Sequence, residues 1–138
     1  MTLEWNDRYT TGHDEIDAQH RDLFDLVNRM AKVHTAEEIK PLLLLLFKHT
    51  REHFQQEEDL IRSKGFPGLA AHINSHNFLL GRLNTFSAEV GKGSFNKDEL
   101  IKLMSNWAMN HIVNDDIKAL NYPTPMPRGR ELPALEPI

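Results

Sequence analysis

No cysteine occurs anywhere in the chain, which excludes disulfides, thiolate-bound zinc and iron–sulfur clusters together, so any metal here is held by nitrogen and oxygen. Long hydrophobic runs are also missing. The longest apolar stretch spans only residues 42–47, against the ~20 apolar residues that cross a bilayer. Residues 1–6 lack the basic start and apolar middle of an export signal. A soluble, unexported, cytoplasmic protein is therefore expected, with no membrane partner. Basic charge is not in excess either: 16 Lys and Arg stand against 20 Asp and Glu, a formal net charge of −4. The cations are scattered, which leaves no electrostatic footprint for a phosphate backbone, and nucleic acid is not an expected partner.

Proline is scarce until the C-terminus. Five of the seven prolines (Pro123, Pro125, Pro127, Pro133, Pro137) fall in the last 16 of 138 residues, where they exclude a continuing helix. Residues 1–121 are thus expected to form one domain, large enough to close a core without staples, and residues 122–138 an extended or disordered tail.

Within the domain, apolar residues recur at helical spacing. Leu23, Phe24, Val27, Met30 and Ala31 mark the inner stripe of a first helix over roughly residues 17–34, after an irregular arm carrying Trp5 and Tyr9. Thr35 followed by Glu38 reads as a capping box that opens a second helix to about residue 64. Pro41 leaves its regular start open, because proline at a first helical position is also tolerated. Gly65, Pro67 and Gly68 end it. Leu69, His72, Ile73, His76, Leu79, Leu80, Leu83, Phe86 and Val90 form the buried face of a third helix, closed by Gly91 and Gly93. Asn96 with Glu99 caps a fourth, whose stripe is Leu100, Leu103, Met104, Trp107, Ala108, His111 and Ile112. No stretch alternates as a strand does. The fold class expected is all-α, an up-down-up-down antiparallel four-helix bundle.

What the chain has in abundance is histidine, 8 of 138 residues. His53 and Glu57 lie four apart on the second helix, and His72 and His76 four apart on the third, so each pair projects from one helix face. Both pairs fall on stripes otherwise made of Leu, Phe and Ile. His20 stands three residues before Leu23 on the first helix, and His111 four after Trp107 on the fourth. Burying five imidazoles without partners would cost roughly 2 kcal/mol or more each, so something inside must satisfy them. His13, His34 and His49 lie outside this constellation and are expected at the surface. The fourth helix offers two carboxylates. Asp115 is four residues after His111 and points its way, whereas Asp116 is five after and rotated by about 140° in an α-helix, yet stands four after Ile112. Spacing alone slightly favours Asp115.

Taken together, Trp5, Tyr9, Gly12, Ile16-Asp17-x-x-His20, His53-Phe54-x-x-Glu57-Glu58, His72-x-x-x-His76 and Trp107-x-x-x-His111-Ile112-x-x-x-Asp116 resemble the hemerythrin family, in its bacterial single-domain branch. The likeness runs over residues 5–116. It implies that His72, His76 and His111 bind one iron, that His20 and His53 bind the other, and that Glu57 and Asp116 bridge the two with an oxo or hydroxo group. It also selects Asp116 over Asp115. The implied function is reversible binding of dioxygen at the open position of the second iron, for storage or delivery to an oxygen-consuming enzyme. Leu23, Phe54, Ala108 and Ile112 would form the apolar oxygen pocket. The chain departs from the family pattern at His13, where an aliphatic residue often follows the glycine, and at Ala119, where a tyrosine is common.

The donor set is consistent with that implication. Seven nitrogen and oxygen ligands exceed what one tetrahedral zinc accepts and suit two ions of near-octahedral habit. Five imidazoles and two carboxylates donate less negative charge than the four glutamates and two histidines of the di-iron oxidases, which disfavours cleavage of the O–O bond. No paired acid, nucleophile or cofactor motif stands beside them, so a binding protein is expected and not an enzyme. The alternatives are oxygen or redox sensing, and a di-iron enzyme acting on peroxide or nitric oxide.

Overall fold

The computed structural model describes residues 3–123. A single 3-10 turn (Asp7–Tyr9) precedes α1 (Asp14–Ala31), α2 (Ala36–Ser63), α3 (Leu69–Lys92) and α4 (Lys97–Trp107). The last of these runs on through a π-helical segment (Ala108–Asp116) into a short final turn, α5 (Ile117–Leu120). These elements form the expected four-helix bundle, and no strand occurs among the described residues. No helix there is long and apolar enough to cross a membrane. The proline-rich tail from residue 124 lies outside the described residues, and with it the expectation of an extended tail.

Helix limits follow local chemistry. α1 begins three residues earlier than the apolar stripe suggests, because Asp14, Glu15 and Asp17 in its first turn complement the positive end of the helix dipole. Its C-terminus is met from afar: the Lys97 ammonium donates to the last helical carbonyl, Ala31 O, at 3.0 Å and to Val33 O just beyond the helix at 2.8 Å. α2 opens on the capping box, with Glu38 N–H donating to Thr35 Oγ1 at 3.2 Å and Thr35 N–H to Glu38 Oε1 at 3.2 Å. The helix therefore starts at Ala36 and runs through the exposed Pro41. Gly91 stays helical, and Gly93, at φ 75°, makes the left-handed turn that ends α3.

The main core is an apolar cluster threaded by all four helices, including Leu23, Val27, Met30, Leu46, Phe54, Leu83, Leu100, Met104 and Ile112, with a smaller cluster of Ile16, Ile61, Ala119 and Leu120 beside it. Area burial of this kind contributes about 1.5–3 kcal/mol per large side chain. The N-terminal arm closes over it. Leu3 exchanges two hydrogen bonds with the Asn28 side chain, at 2.7 and 2.8 Å, and Trp5, Tyr9 and Phe24 meet at centroid distances of 5.3–5.5 Å. The buried Asp17 carboxylate accepts from both the amide and the hydroxyl of Thr11, at 2.9 and 2.8 Å. That clamp fixes α1 one turn before His20. His13 departs from the expected surface position: it is half-buried, and its Nε2–H donates to Leu120 O at 2.9 Å, tying the arm to the end of the bundle. His34 and His49 are exposed as expected.

Candidate metal centre

All seven side chains singled out in the sequence converge. His20, His53, Glu57, His72, His76, His111 and Asp116 are buried, none more than 5% exposed, and they form two overlapping groups able to hold a metal ion. One comprises Glu57, His72, His76, His111 and Asp116, and the other His20, His53 and Glu57. Their nitrogens turned to the centre are all Nε2.

The carboxylates divide their oxygens between the groups. Glu57 Oε1 lies 3.0 Å from both His72 and His76 Nε2, while its Oε2 lies 3.3 Å from His53 and 3.6 Å from His20 Nε2. Asp116 does likewise, with Oδ1 at 2.9 Å from His72 and 3.0 Å from His111, and Oδ2 at 3.3 Å from His20. Three imidazoles thus gather on one side and two on the other. Close as they lie, the Nε2 atoms of His20, His53, His76 and His111, Glu57 Oε2 and both Asp116 oxygens have no hydrogen-bond partner. Buried polar atoms are almost always paired in native proteins, so nitrogens and oxygens that converge on common points without a hydrogen-bond partner fit metal coordination.

Electrostatics in the metal-free chain tell the same story. Burial opposes the charge of Glu57, but His20, His53, His72 and His76 overcome it and hold the carboxyl well below the usual carboxylate range. Burial and the neighbouring Glu57 charge push Asp116 up, and His111, His20 and His72 outweigh them, bringing it down to about 2. Burial works against charging His20 and His72, yet Asp116 and Glu57 beside each carry both imidazoles up to about 9. Burial dominates at His53 and lowers it. Two permanent carboxylates in a dry interior attract positive charge, and protons take it up where no cation is bound.

The π-helical segment decides the question left open on the fourth helix. There the Ile117 N–H reaches back five residues to Ile112 O, which brings side chains five apart within reach of one another as well as those four apart. Asp116 accordingly points inward and is fully buried, while the Asp115 side chain is 54% exposed. The α-helical spacing that favoured Asp115 does not hold, because the segment is not α-helical.

Residues 11–120 match the family model described as the hemerythrin HHE cation binding domain. The chain belongs to the hemerythrin family. Similar hemerythrins include the bacteriohemerythrin of Stenotrophomonas maltophilia (strain R551-3), 31% identical over 117 residues, which is 83% of this chain and 76% of that protein. The bacteriohemerythrin of Pseudomonas aeruginosa (strain LESB58) is 32% identical with the same coverage, and the myohemerythrin of Theromyzon tessulatum is 25% identical over 83% of this chain and 88% of its own. A crystal structure of wild-type hemerythrin aligns with a TM-score of 0.80 at 26% identity, covering 91% of this chain and 100% of that one.

This hemerythrin-family site has an outer layer of contacts to which sequence reasoning gave no role. The Nδ1–H of His76 donates to Glu58 Oε2 at 2.7 Å and that of His53 to Gln19 Oε1 at 2.6 Å, while His111 Nδ1 is hydrogen-bonded to Ser75 Oγ at 3.0 Å, with Asp115 Oδ2 a further 3.2 Å contact. An acceptor at Nδ1 fixes the tautomer and leaves the Nε2 lone pair free for a metal. Gln19 is itself held by Gln56 at 2.6 Å. The only sequence signal for these residues was adjacency: Gln19 precedes His20, Glu58 follows Glu57 and Ser75 precedes His76. The four residues assigned to an apolar pocket, Leu23, Phe54, Ala108 and Ile112, are at most 2% exposed and belong to the main core cluster. The Phe54 ring stacks on His76 at 3.6 Å, and Leu23 borders a cleft of about 80 Å³ beside His53.

Proposed function

We propose that this chain binds dioxygen reversibly at a non-haem pair of iron ions, as a binding protein and not an enzyme, and that it stores oxygen or delivers it to an oxygen-consuming enzyme in the cytoplasm. The observation that carries this reading is the division of the Glu57 and Asp116 oxygens between three histidines on one side and two on the other. His72, His76 and His111 would hold one iron and His20 and His53 the other, with Glu57 and Asp116 each offering an oxygen to both sides. The names of the bacteriohemerythrin and myohemerythrin relatives favour the same assignment.

When bound, the iron pair would supply two-electron redox chemistry on the side that only two histidines serve. The protein's own part is to hold and to exclude. Glu58, Gln19 and Ser75, each bonded at the Nδ1 of its histidine, turn the Nε2 atoms inward. Leu23, Phe54, Ala108 and Ile112 keep water and anions from the open side. Five neutral imidazoles and two carboxylates leave the metals with modest donated charge, which favours release of intact dioxygen over breaking its bond.

The test is the visible spectrum of the iron-loaded, chemically reduced protein as oxygen is admitted and then removed under argon. A charge-transfer band that comes and goes over several cycles is expected. Immediate irreversible conversion to the diferric form, or steady consumption of peroxide or nitric oxide with a reductant, would overturn the reading in favour of catalysis.

A further inference from the structure

The outward contacts of the histidines are incomplete at two places: His20 Nδ1 is sealed in the interior without a hydrogen-bond partner, and His72 lines an open cavity. His53, His76 and His111 each place Nδ1 in a hydrogen bond with a side chain from another helix: Gln19, Glu58 and Ser75. His72 is just as deeply buried, 5% exposed, and commits Nε2 to Glu57 and Asp116. Its Nδ1 has no hydrogen-bond partner among the described residues. With Nε2 facing the metals, Nδ1 carries the proton, so a donor is left without an acceptor. It borders a cavity of about 180 Å³ lined by Phe66, Gly68, Ala71, His72, Asp115 and Lys118.

The walls of that cavity are suited to negative charge. It lies at the N-terminus of α3, a 24-residue helix whose N-cap is Gly68, without a capping side chain and without an acidic residue in the first turn. The amide of Leu69 goes to Phe66 O and that of His72 to Gly68 O, which leaves those of Ala70 and Ala71 uncapped at the positive end of the dipole. The exposed Lys118 ammonium makes no ion pair within the described residues. Phe66 is fixed as an apolar wall by its edge contact with Tyr122, centroids 5.3 Å apart, and by Gly68, where a Cβ would meet the ring at 2.6 Å. Asp115 is the one acidic lining residue, with an oxygen turned to His111 Nδ1. Its charge repels a dianion more than a monoanion.

We infer that this cavity binds a small monovalent oxyanion, of the carboxylate or monobasic phosphate class, which accepts from His72 Nδ1–H, the first-turn amides of α3 and Lys118. The bound anion completes the outer contacts of His72 as Glu58 completes those of His76. Its effect on the metals rests on the iron-centre reading above, but the binding itself does not.

Titration calorimetry on the metal-free protein separates the two, with formate and inorganic phosphate as probes and chloride at equal ionic strength as the control. One anion per chain is expected, with affinity about tenfold weaker in Lys118→Gln, the loss of one charge-assisted contact. Ala71→Phe, at an exposed position that fills the cavity, should abolish binding while leaving helicity unchanged; if that variant misfolds, Lys118→Gln decides alone. Equal affinities for wild type and Lys118→Gln, or no saturable binding of either probe, overturn the site. In the iron-loaded protein the tighter-binding probe should slow iron loss to a chelator several-fold in wild type and not in Lys118→Gln. An unchanged rate in wild type overturns the link to His72.

Discussion

Replacing Asp115 and Asp116 one at a time by asparagine tests the inner site where helical spacing and tertiary structure disagree. Asp116 is fully buried and faces His20, His72 and His111 at 2.9–3.3 Å. In the metal-free protein at neutral pH, Asp116→Asn removes one of two buried carboxylates that balance those imidazoles, and breaking a buried pair from one side costs about 3–5 kcal/mol. In the loaded protein it removes the oxygen that each metal shares. The expected result is loss of at least one of the two irons together with a lower urea midpoint for the metal-free form. Asp115→Asn should behave differently. Its side chain is 54% exposed and makes one 3.2 Å contact with His111 Nδ1, which Ser75 Oγ also approaches at 3.0 Å. Less than about 1 kcal/mol of stability is at stake there, and iron stoichiometry should stay at two. Iron content by colorimetric assay and urea denaturation of both forms are the measurements. If Asp115→Asn loses iron and Asp116→Asn retains both ions, the register assigned to the π-helical segment is wrong.

Other outcomes follow from the same geometry. Glu58→Gln weakens the 2.7 Å contact that orients His76, and a loss of iron affinity of about 10–100-fold is expected, measured by chelator competition; an unchanged affinity removes Glu58 from the outer layer. The metal-free protein should lose stability as pH rises. His20 is raised from 6.5 to about 9, so its contribution, on the order of 3 kcal/mol, is fully present below pH 6.5 and lost through about pH 9. Asp116, lowered to about 2, acts at the other end, contributing above its ordinary range and losing its effect as pH falls towards 2. Urea midpoints of the metal-free form at pH 6 and pH 9.5 check the His20 term, and equal midpoints would refute it. Ile112 is fully buried in the core cluster, and Ile112→Gln should speed irreversible oxidation of the reduced, iron-loaded protein in air while Ile112→Leu does not; matching rates in both variants take Ile112 out of the pocket.

Much of the fold and of the metal centre is legible in the sequence because it is local. Residues four apart share a helix face wherever the helix is regular, which is why spacing alone pairs His53 with Glu57 and His72 with His76. Apolar stripes fix which faces turn inward, and the Thr35 and Asn96 caps are present as read, with the side chains accepting from Glu38 N and Glu99 N. The ends of α1 differ from those the stripe suggests because apolar periodicity does not register the acidic first turn or a lysine arriving from residue 97 to meet the final carbonyls. His13 departs from its expected position for a similar reason. Its partner is the carbonyl of Leu120, at the opposite end of the domain in sequence.

The sequence by itself determined four amphipathic helices, a cysteine-free donor set of imidazoles and carboxylates, and the faces that carry them, since these depend on spacing and residue chemistry alone. Tertiary structure decided what spacing could not. The π-helical turn that brings Asp116 under His111 is a backbone choice that side-chain periodicity does not encode. The pairings of Gln19 with His53, Glu58 with His76 and Ser75 with His111, and the division of each carboxylate between two histidine groups, depend on the axial offset and rotation of one helix against another. Those are set only when the whole core packs.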